Sequence, residues 1–324
     1  MNKLTGIIGG AAVAFTMGAA AQAQSWDMPT PYSDAIFHTA NIIEFAADVK
    51  AATGGSMDIT VHSAGSLFKH ADIKGAVRGR QVPIGEFFLS RLSNEDAAFG
   101  LDSQPFLATS YADAERLWAA QKPAITALLA EQNLMPLFAV PWPAQGLYTN
   151  GEIATVDDLS GLKFRAYNAA LESFAALAGA APTQVASPDI PQAFATGQVE
   201  AMITSPSTGA SSKAWDFVTH YTPINAWVPK NIVVVNKQMF DRLDADVQAA
   251  ILAAATTAEA RGWEMSAAEA AAKTQVMADN GMVIVEPSTA LMDGLKAIGD
   301  TMLEDLQASA SEEAIAVIAE YQGN

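Results

Sequence analysis

The amino-acid sequence predicts an α/β protein built from two similar lobes. The chain of 324 residues is about twice the size of an average domain, which favours two domains. Half of the residues are hydrophobic and only 16% are charged, so a packed core is expected and a disordered chain is excluded. Short apolar segments alternate with amphipathic ones along the chain, an arrangement typical of helices that pack on sheets.

Charge and cysteine content exclude several classes of function. Acidic residues outnumber basic ones 35 to 18, for a formal net charge of −17. Such a chain repels nucleic acid and anionic lipid surfaces, so neither is expected as a partner. The sequence has no cysteine, which excludes disulfides, a thiolate nucleophile and cysteine-ligated metal sites.

The first 23 residues predict export through a cleaved signal peptide. Lys3 precedes a run of small and apolar residues over 4–20, and residues 21–23 (Ala-Gln-Ala) have the small-x-small form cleaved by signal peptidases. A membrane anchor is the alternative, but the run is rich in Gly and Ala and has no basic residues directly after it. Because no later stretch reaches the ~18 to 20 uninterrupted apolar residues of a spanning helix, we expect a soluble exported protein.

Hydrophobic periodicity predicts the individual elements. Ile42, Phe45 and Val49 follow helical spacing within a predicted helix over residues 34–53, and alternating apolar residues predict a strand over 57–62. Further helices are predicted over residues 111–132, 168–178, 189–196 and 242–279, and further strands over residues 134–140, 162–166, 199–204, 231–235 and 282–285. The strands at 231–235 and 282–285 are apolar throughout, as expected for strands covered on both faces.

A weak internal sequence similarity predicts where a ligand would bind. Residues 76–82 and 193–199 each read as a helix end followed by Gln-Val and a strand. If each lobe contains this helix end and strand, then Glu86 and Thr204, the polar residues that follow, face a shared crevice. Ligands of open α/β sheets bind at the carboxyl ends of strands, often between domains. The cleft between the lobes is therefore the predicted site.

The sequence lacks the common signatures of catalysis. It has no dinucleotide or phosphate-binding glycine loop, no nucleophile elbow and no zinc-protease helix motif. Its four histidines follow no metal-binding spacing. The acidic pairs at 157–158 and 95–96 lie in turn-like surroundings that favour helix capping. We therefore predict no catalytic residue, no metal and no cofactor.

One motif carries a specific resemblance. Residues 157–165 read Asp-Asp-Leu-Ser-Gly-Leu-Lys-Phe-Arg, a turn into a strand with Phe164 on one face and Arg165 on the other. The segment resembles the Asp-Leu-x-Gly-Leu-Lys-x-Arg signature of the solute receptors of tripartite ATP-independent periplasmic (TRAP) transporters, the DctP family. Residues 45–67, 189–201 and 219–240 resemble other segments of that family in the same order, so the resemblance spans most of the chain.

The resemblance implies a fold and a function. It implies a two-lobed periplasmic binding protein of type II-like architecture, with a ligand cleft between the lobes and a long helix spanning them. We expect the first lobe to comprise residues 24–148 and about 235–280, and the second to comprise residues 149–234 and about 281–324. The implied function is to bind a small organic acid in the periplasm and to deliver it, as a monomer, to a TRAP-type membrane permease.

The resemblance also implies which residues bind the ligand. The arginine at the position of Arg165 pairs with the substrate carboxylate, and a planar guanidinium suits this because it offers two parallel donors. The alternative is a surface ion pair with Asp157. Thr204 and Glu86 fall at positions of polar ligand contacts. Their alternatives are a Thr satisfied by its own backbone and a Glu in a solvated loop.

This chain departs from the family at one predicted contact. Relatives often carry a second arginine where residues 141–149 contain none, so a single cationic contact is expected. Trp142 and Trp227 would supply flat walls, or else fill a hinge. With Glu86 beside them, a ligand with an ammonium group as well as a carboxylate would also fit. The full predicted set of ligand-binding residues is Arg165, Glu86, Trp142, Thr204, Trp227, Asn231 and Tyr148.

Two alternatives to a TRAP receptor stay open at the level of sequence. The same cleft would serve the receptor of an ATP-driven (ABC-type) importer or of a chemoreceptor. An exported enzyme could instead use Glu86 or Asp189 in that cleft. The identity of the ligand does not follow from the sequence.

Overall fold

The computed structural model describes residues 24–323, and the predicted signal peptide lies outside them. No helix within that span is both long enough and apolar enough to cross a bilayer. The strands are β1 (Gln24–Pro29), β2 (Met57–His62), β3 (Ile84–Phe88), β4 (Leu134–Pro141), β5 (Gly146–Thr149), β6 (Lys163–Ala166), β7 (Ala181–Gln184), β8 (Ala201–Thr204), β9 (His220–Thr222), β10 (Lys230–Asn236) and β11 (Val283–Ile284). The helices are α1 (Phe37–Ala52), α2 (His70–Arg78), α3 (Tyr111–Ala130), α4 (Ala169–Leu177), α5 (Ile190–Ala195), α6 (Pro206–Ser211), α7 (Lys237–Phe240), α8 (Ala245–Asp279), α9 (Thr289–Ser309) and α10 (Glu312–Gly323).

The first lobe is built on the antiparallel sheet β3-β10-β4, with the parallel pair β1-β2 alongside β3. Residues alternate between its two faces along the central strand β10. Val233 and Val235 pack into the core under α1, whereas Ile232 and Val234 pack into the core under α2 and α3. The predicted strand at 231–235 is thus covered on both faces, as expected.

The second lobe is built on a six-stranded mixed sheet with the order β11-β9-β5-β8-β6-β7. Helices α4 and α9 cover one face, and α5 with the end of α8 covers the other. The prediction that the strand at 282–285 lies inside a sheet and is covered on both faces was wrong. Strand β11 pairs over only two residues at the edge of the sheet. Met282 and Ile284 pack into the core, whereas Val283 on the opposite face is 50% exposed.

Strand pairing moves the expected lobe boundaries. Strand β5 pairs with β8 and β9 and so belongs to the second lobe, whereas β10 pairs with β3 and β4 and belongs to the first. The chain therefore crosses between the lobes at residues 142–145 and 223–229, and the boundaries expected at 148 and 234 are each displaced by a strand.

The long helix α8 joins the lobes, as predicted. Its first part packs on α1 and β4 of the first lobe, and its later part packs on α6 and β11 of the second. Gly262 allows the close approach to β4, because a Cβ at this position would overlap Val140 and Asn41. A larger residue at position 262 would push the helix off the sheet.

The C-terminal helix α10 returns to the first lobe, contrary to the assignment of residues 281–324 to the second. Val317, Ile318 and Tyr321 of α10 pack against Leu101 and Leu117 in the core beneath α3. Only α9 and β11 follow the expected assignment, since Leu291 and Leu295 lie in the second-lobe core.

The two similar sequence segments form the same turn in both lobes. The backbone N–H groups of Gln81 and Gln198 each donate, at 2.9 Å, to the carbonyl of the helix residue five positions earlier. Arg80 and Gly197 occupy the same place in the two turns, with φ of 61° and 66°. The turns begin the approach to β3 and β8, whose ends reach the cleft.

Candidate functional site

A cavity of about 370 Å³ lies between the lobes. The first lobe and the crossing segment contribute Tyr32, His70, Phe88, Arg91, Trp142 and Gln145 to its wall, and the second lobe contributes Arg165, Tyr167, Thr204, Ser205 and the stretch 184–189. The cavity therefore occupies the predicted position, and closing the lobes on each other would bury whatever it holds.

Arg165 faces this cavity because of its place on β6. Its neighbours Phe164 and Ala166 point into the second-lobe core, so the alternation of a strand turns Arg165 to the cleft. The side chain is only 3% exposed. Its Nε donates to the carbonyl of Val185 at 3.0 Å, which leaves the two terminal nitrogens for a ligand.

The charge of Arg165 has no counter-charge among residues 24–323. No ion pair forms with Asp157 or with any other described acid. Burial lowers the pKa of Arg165 to about 10, against the raising effect of Tyr167 and Tyr32. A buried cation without a partner is unfavourable, so the site favours an anion that approaches from the cavity.

Arg91 is a second arginine in the wall that the sequence reasoning missed. It lies in the 3₁₀ turn Leu89–Leu92 directly after β3, half-buried, and its Nη1 donates to the carbonyl of Tyr167 at 3.1 Å. This corrects the expectation of a single cationic contact. The only signal in the sequence was its place just beyond a predicted cleft strand, since no motif marks it.

His70 is a neutral donor in the same wall. Its Nε2 accepts the backbone N–H of Phe88 at 3.1 Å, so the proton of the neutral ring belongs on Nδ1. Burial, reinforced by the charges of Arg91 and Arg165, lowers the pKa of His70 to about 3. The ring therefore stays uncharged at physiological pH. No motif in the sequence marks His70 as a site residue.

Trp227 lies one layer behind the wall. It is 1% exposed in the second-lobe core, and its Nε1 donates to the hydroxyl of Tyr167 at 2.8 Å. That hydroxyl donates in turn to Oε1 of Gln145 at 3.1 Å. Trp227 thus supports Tyr167, which lines the cavity, and does not itself form a wall.

Glu86 and Asn231 also lie behind the wall, on the first-lobe side. The carboxylate of Glu86 accepts hydrogen bonds from Thr30 at 2.6 Å and from Nδ2 of Asn231 at 3.1 Å. Oδ1 of Asn231 accepts the hydroxyl of Tyr32 at 3.1 Å and the indole N–H of Trp142 at 2.9 Å. Burial raises the pKa of Glu86 to about 7, against the lowering effect of its two hydrogen bonds.

Tyr148 is buried in the second-lobe core against Tyr221, and its hydroxyl donates to the carbonyl of Ser205 at 3.0 Å. Burial raises the pKa of Tyr148 well above its ordinary value. The side chain reaches the cavity only through Ser205.

Three of the seven predicted residues therefore line the cavity, and four do not. Arg165, Trp142 and Thr204 are in the wall, and their contact with a ligand stays a prediction. Trp227, Asn231 and Tyr148 each lie one hydrogen bond behind a lining residue, and Glu86 lies two behind. Direct contact is not expected for these four, because their side chains are buried and their polar atoms are paired within the protein.

The wall combines two guanidinium groups, a neutral histidine and the rings of Tyr32, Trp142, Phe88 and Tyr167. Asp189 is the carboxylate of this wall, and it is exposed at the rim. Within residues 24–323, no three His, Asp or Glu side chains are grouped to hold a metal ion. The arrangement suits a small anion with a flat body.

The profile of one protein family matches most of the chain. The family is DctP, described as bacterial extracellular solute-binding protein, family 7, and it matches residues 31–309. Among curated proteins, a solute-binding protein of Sulfitobacter sp. (strain NAS-14.1) is 27% identical over 53% of this chain and 53% of its own length. Another from Albidiferax ferrireducens is 25% identical over 62% of this chain and 61% of its own length. The chain thus spans little more than half the length of these relatives.

Solved structures match over nearly the whole chain. DctP7, a Bordetella pertussis extracytoplasmic solute receptor binding pyroglutamic acid, is 42% identical with a TM-score of 0.91 and covers 93% of this chain and 100% of its own. A marine metagenome TRAP solute-binding protein specific for pyroglutamate is also 42% identical with a TM-score of 0.91, over 94% and 100% of the two chains. A glucuronate-bound receptor from Roseobacter denitrificans shares the fold, with 21% identity and a TM-score of 0.85 over 93% of this chain and all of its own. The chain therefore belongs to the DctP family of bacterial extracellular solute-binding proteins.

Proposed function

We propose that the protein is a periplasmic receptor that binds a small organic acid, pyroglutamate or a close analogue, and delivers it to a TRAP-type permease. The observation that carries the proposal is Arg165. Its guanidinium is buried, has no counter-charge among the described residues and faces a cavity that both lobes enclose. A ligand carboxylate supplies the missing charge through two parallel hydrogen bonds.

The choice of pyroglutamate draws support from relatives and from the chemistry of the wall. Two receptors that are 42% identical to this chain are described as pyroglutamate-binding. Pyroglutamate has one carboxylate, a flat lactam ring and no ammonium group. The carboxylate suits the guanidinium groups of Arg165 and Arg91, the ring suits the aromatic walls, and the lactam suits neutral donors and acceptors such as His70 and Thr204.

The position of Glu86 argues against a zwitterionic ligand. An ammonium group in the cavity would face two guanidinium groups, while the carboxylate of Glu86 is held behind the wall by Thr30 and Asn231. Like charges brought together in a buried site cost several kcal/mol. A carboxylate without an ammonium group is therefore the favoured ligand.

Calorimetric titration and a thermal-shift screen of residues 24–324 test the proposal. The ligands are L-pyroglutamate, succinate, glucuronate, an aromatic acid and L-proline. At 100 times its Kd a true ligand adds about 2.7 kcal/mol of stability, equivalent to roughly 4 °C in a chain of this size. We expect L-pyroglutamate to give this shift and to be recovered unchanged. No shift with any acid would overturn the proposal, and a chemically altered ligand would favour an exported enzyme.

The transporter class, the cleavage site of the signal peptide and the oligomeric state are each tested by a separate measurement. Neighbouring genes for two TRAP membrane subunits, rather than for an ATPase, support TRAP transport over an ABC-type importer. Mass spectrometry of the exported protein should place its N-terminus at Gln24. Light scattering with and without ligand should give the mass of a monomer.

A further inference from the structure

Asn231 forms hydrogen bonds with two side chains that line the cavity. It lies near the start of β10, 1% exposed. Its Oδ1 accepts both the hydroxyl of Tyr32 and the indole N–H of Trp142, and both of these side chains line the cavity. The two rings pack edge to face, 4.9 Å apart. One oxygen atom therefore fixes the relative placement of two aromatic surfaces that a ligand would touch.

The neighbours of Asn231 determine which way its amide points. The indole N–H of Trp142 can only donate, so Oδ1 must face it. Nδ2 then faces Glu86, whose other carboxylate oxygen accepts from Thr30. His38 lies 3.6 Å from the same carboxylate, and burial lowers the pKa of His38 well below its ordinary value. The histidine is therefore neutral, and the carboxyl group of Glu86 is the acceptor that the amide of Asn231 meets.

Position 231 needs an acceptor toward Tyr32 and Trp142 and a donor toward Glu86, and asparagine supplies both. Aspartate would direct an acceptor at an acceptor, and leucine would offer Tyr32 and Trp142 nothing. Leucine would leave two buried donors without a partner, which is unfavourable. Aspartate would place a second carboxylate beside Glu86, and their repulsion would displace the side chain at position 231. Either change would allow the two rings to move. Preformed walls spare the ligand the cost of ordering them.

We propose that Asn231, oriented by Glu86, is a positioning residue that holds Tyr32 and Trp142 in the geometry that the ligand requires. The inference rests on the proposed receptor function, but its first readout needs no ligand. The indole N–H resonance of Trp142, identified by its loss in Trp142→Phe, reports the hydrogen bond directly. In Asn231→Leu this resonance should shift and exchange faster with water, and the Kd for L-pyroglutamate should rise on the order of 10- to 100-fold.

Exchanging the donor and the acceptor between positions 231 and 86 tests whether the hydrogen bond itself, rather than general packing, positions the two rings. Asn231→Asp alone should bind poorly at pH 8 and recover at pH 5, where the two carboxylates share a proton. Adding Glu86→Gln places a donor opposite the new carboxylate. The side-chain amide at position 86 then donates to the carboxylate at position 231, so the hydrogen bond is kept with its direction reversed. The double variant should therefore bind better than Asn231→Asp at pH 8 and lose most of its pH dependence.

Asn236 provides the matched control, since it is a buried asparagine at the other end of β10 with no partner in the cavity wall. Asn236→Leu should lower the Tm while leaving the Trp142 resonance and the Kd unchanged. Equal losses of affinity in the Asn231 and Asn236 variants, or an unchanged Trp142 resonance in Asn231→Leu, would overturn the inference. If the wild-type protein binds no acid, the receptor proposal fails, while the resonance still decides whether Asn231 positions Trp142.

Discussion

The guanidinium of Arg165 lies 5.0 Å from the centre of the ring of Tyr167, the residue directly after the end of β6. Both side chains line the cavity. The ring hydroxyl is held by Trp227 and Gln145. The aromatic face thus supports the cation from one side and leaves its terminal nitrogens to the ligand.

Replacing Arg165 should remove binding without unfolding the protein. In Arg165→Met the paired donors for the ligand carboxylate are lost, and we expect the Kd for L-pyroglutamate to rise at least about 100-fold. The Tm of the ligand-free protein should not fall, because the variant removes a buried charge that had no partner. Arg165→Lys should also bind weakly, since a point charge does not reproduce the two parallel donors. Calorimetry and thermal melts check both statements, and full affinity in Arg165→Met would contradict the proposed role.

Arg91 should contribute less than Arg165. It is half-buried and already donates to the carbonyl of Tyr167, so water screens its charge more effectively. We expect Arg91→Gln to raise the Kd roughly 10-fold, with part of the loss in the association rate. Stopped-flow binding at two salt concentrations measures this. Lys50→Gln, an exposed change on α1 away from the cavity, is the control and should bind as the wild type does.

L-Proline and L-pyroglutamate form a matched pair of ligands for testing the charge preference. They share a five-membered ring and a carboxylate, but the ring nitrogen of proline is an ammonium and that of pyroglutamate is an amide. Because Arg91 and Arg165 both line the cavity, we expect proline to bind on the order of 100-fold more weakly or worse. Competition calorimetry provides the ratio. Comparable affinities would contradict this preference and would indicate that a carboxylate such as Asp189, at the rim of the cavity, neutralises the ammonium group.

The carboxyl group of Glu86 should make stability fall as the pH rises. Burial raises its pKa from 4.5 to about 7, so between these values the native protein keeps a proton that the unfolded chain releases. The free energy of unfolding therefore decreases with rising pH over this window and is level, for this group, above about pH 7. Urea unfolding of the wild type and of Glu86→Gln at a series of pH values isolates the effect. The stability difference between them should change by a few kcal/mol from pH 4.5 to pH 7, and a constant difference would contradict the raised pKa.

Local pattern was enough to predict much of the fold and the central site residue. The helical spacing around Phe45 predicted α1, and the uninterrupted helical pattern after residue 242 predicted the helix that joins the lobes. Arg165 was predictable because a strand alternates and a specific motif marks its position. In each case the information lies within a few residues of the element itself.

Other features depend on contacts far apart in sequence. The run Ile232–Val235 indicates a strand buried on both faces, but it does not indicate which sheet the strand joins, and β10 joins the first lobe rather than the second. Arg91 lies in a 3₁₀ turn, where no period fixes the direction of a side chain. Glu86 is polar on a cleft strand, yet Thr30 and Asn231 draw it behind the wall, and neither partner is near it in sequence.

The return of α10 to the first lobe has a consequence for how the chain matures. Val317 and Tyr321 complete a core whose other members, such as Leu101 and Leu117, are synthesised more than 190 residues earlier. The nascent first lobe therefore lacks part of its interior until almost the whole polypeptide has emerged. Loss of α10 to a premature stop codon or to a protease would therefore damage the half of the molecule that is made first.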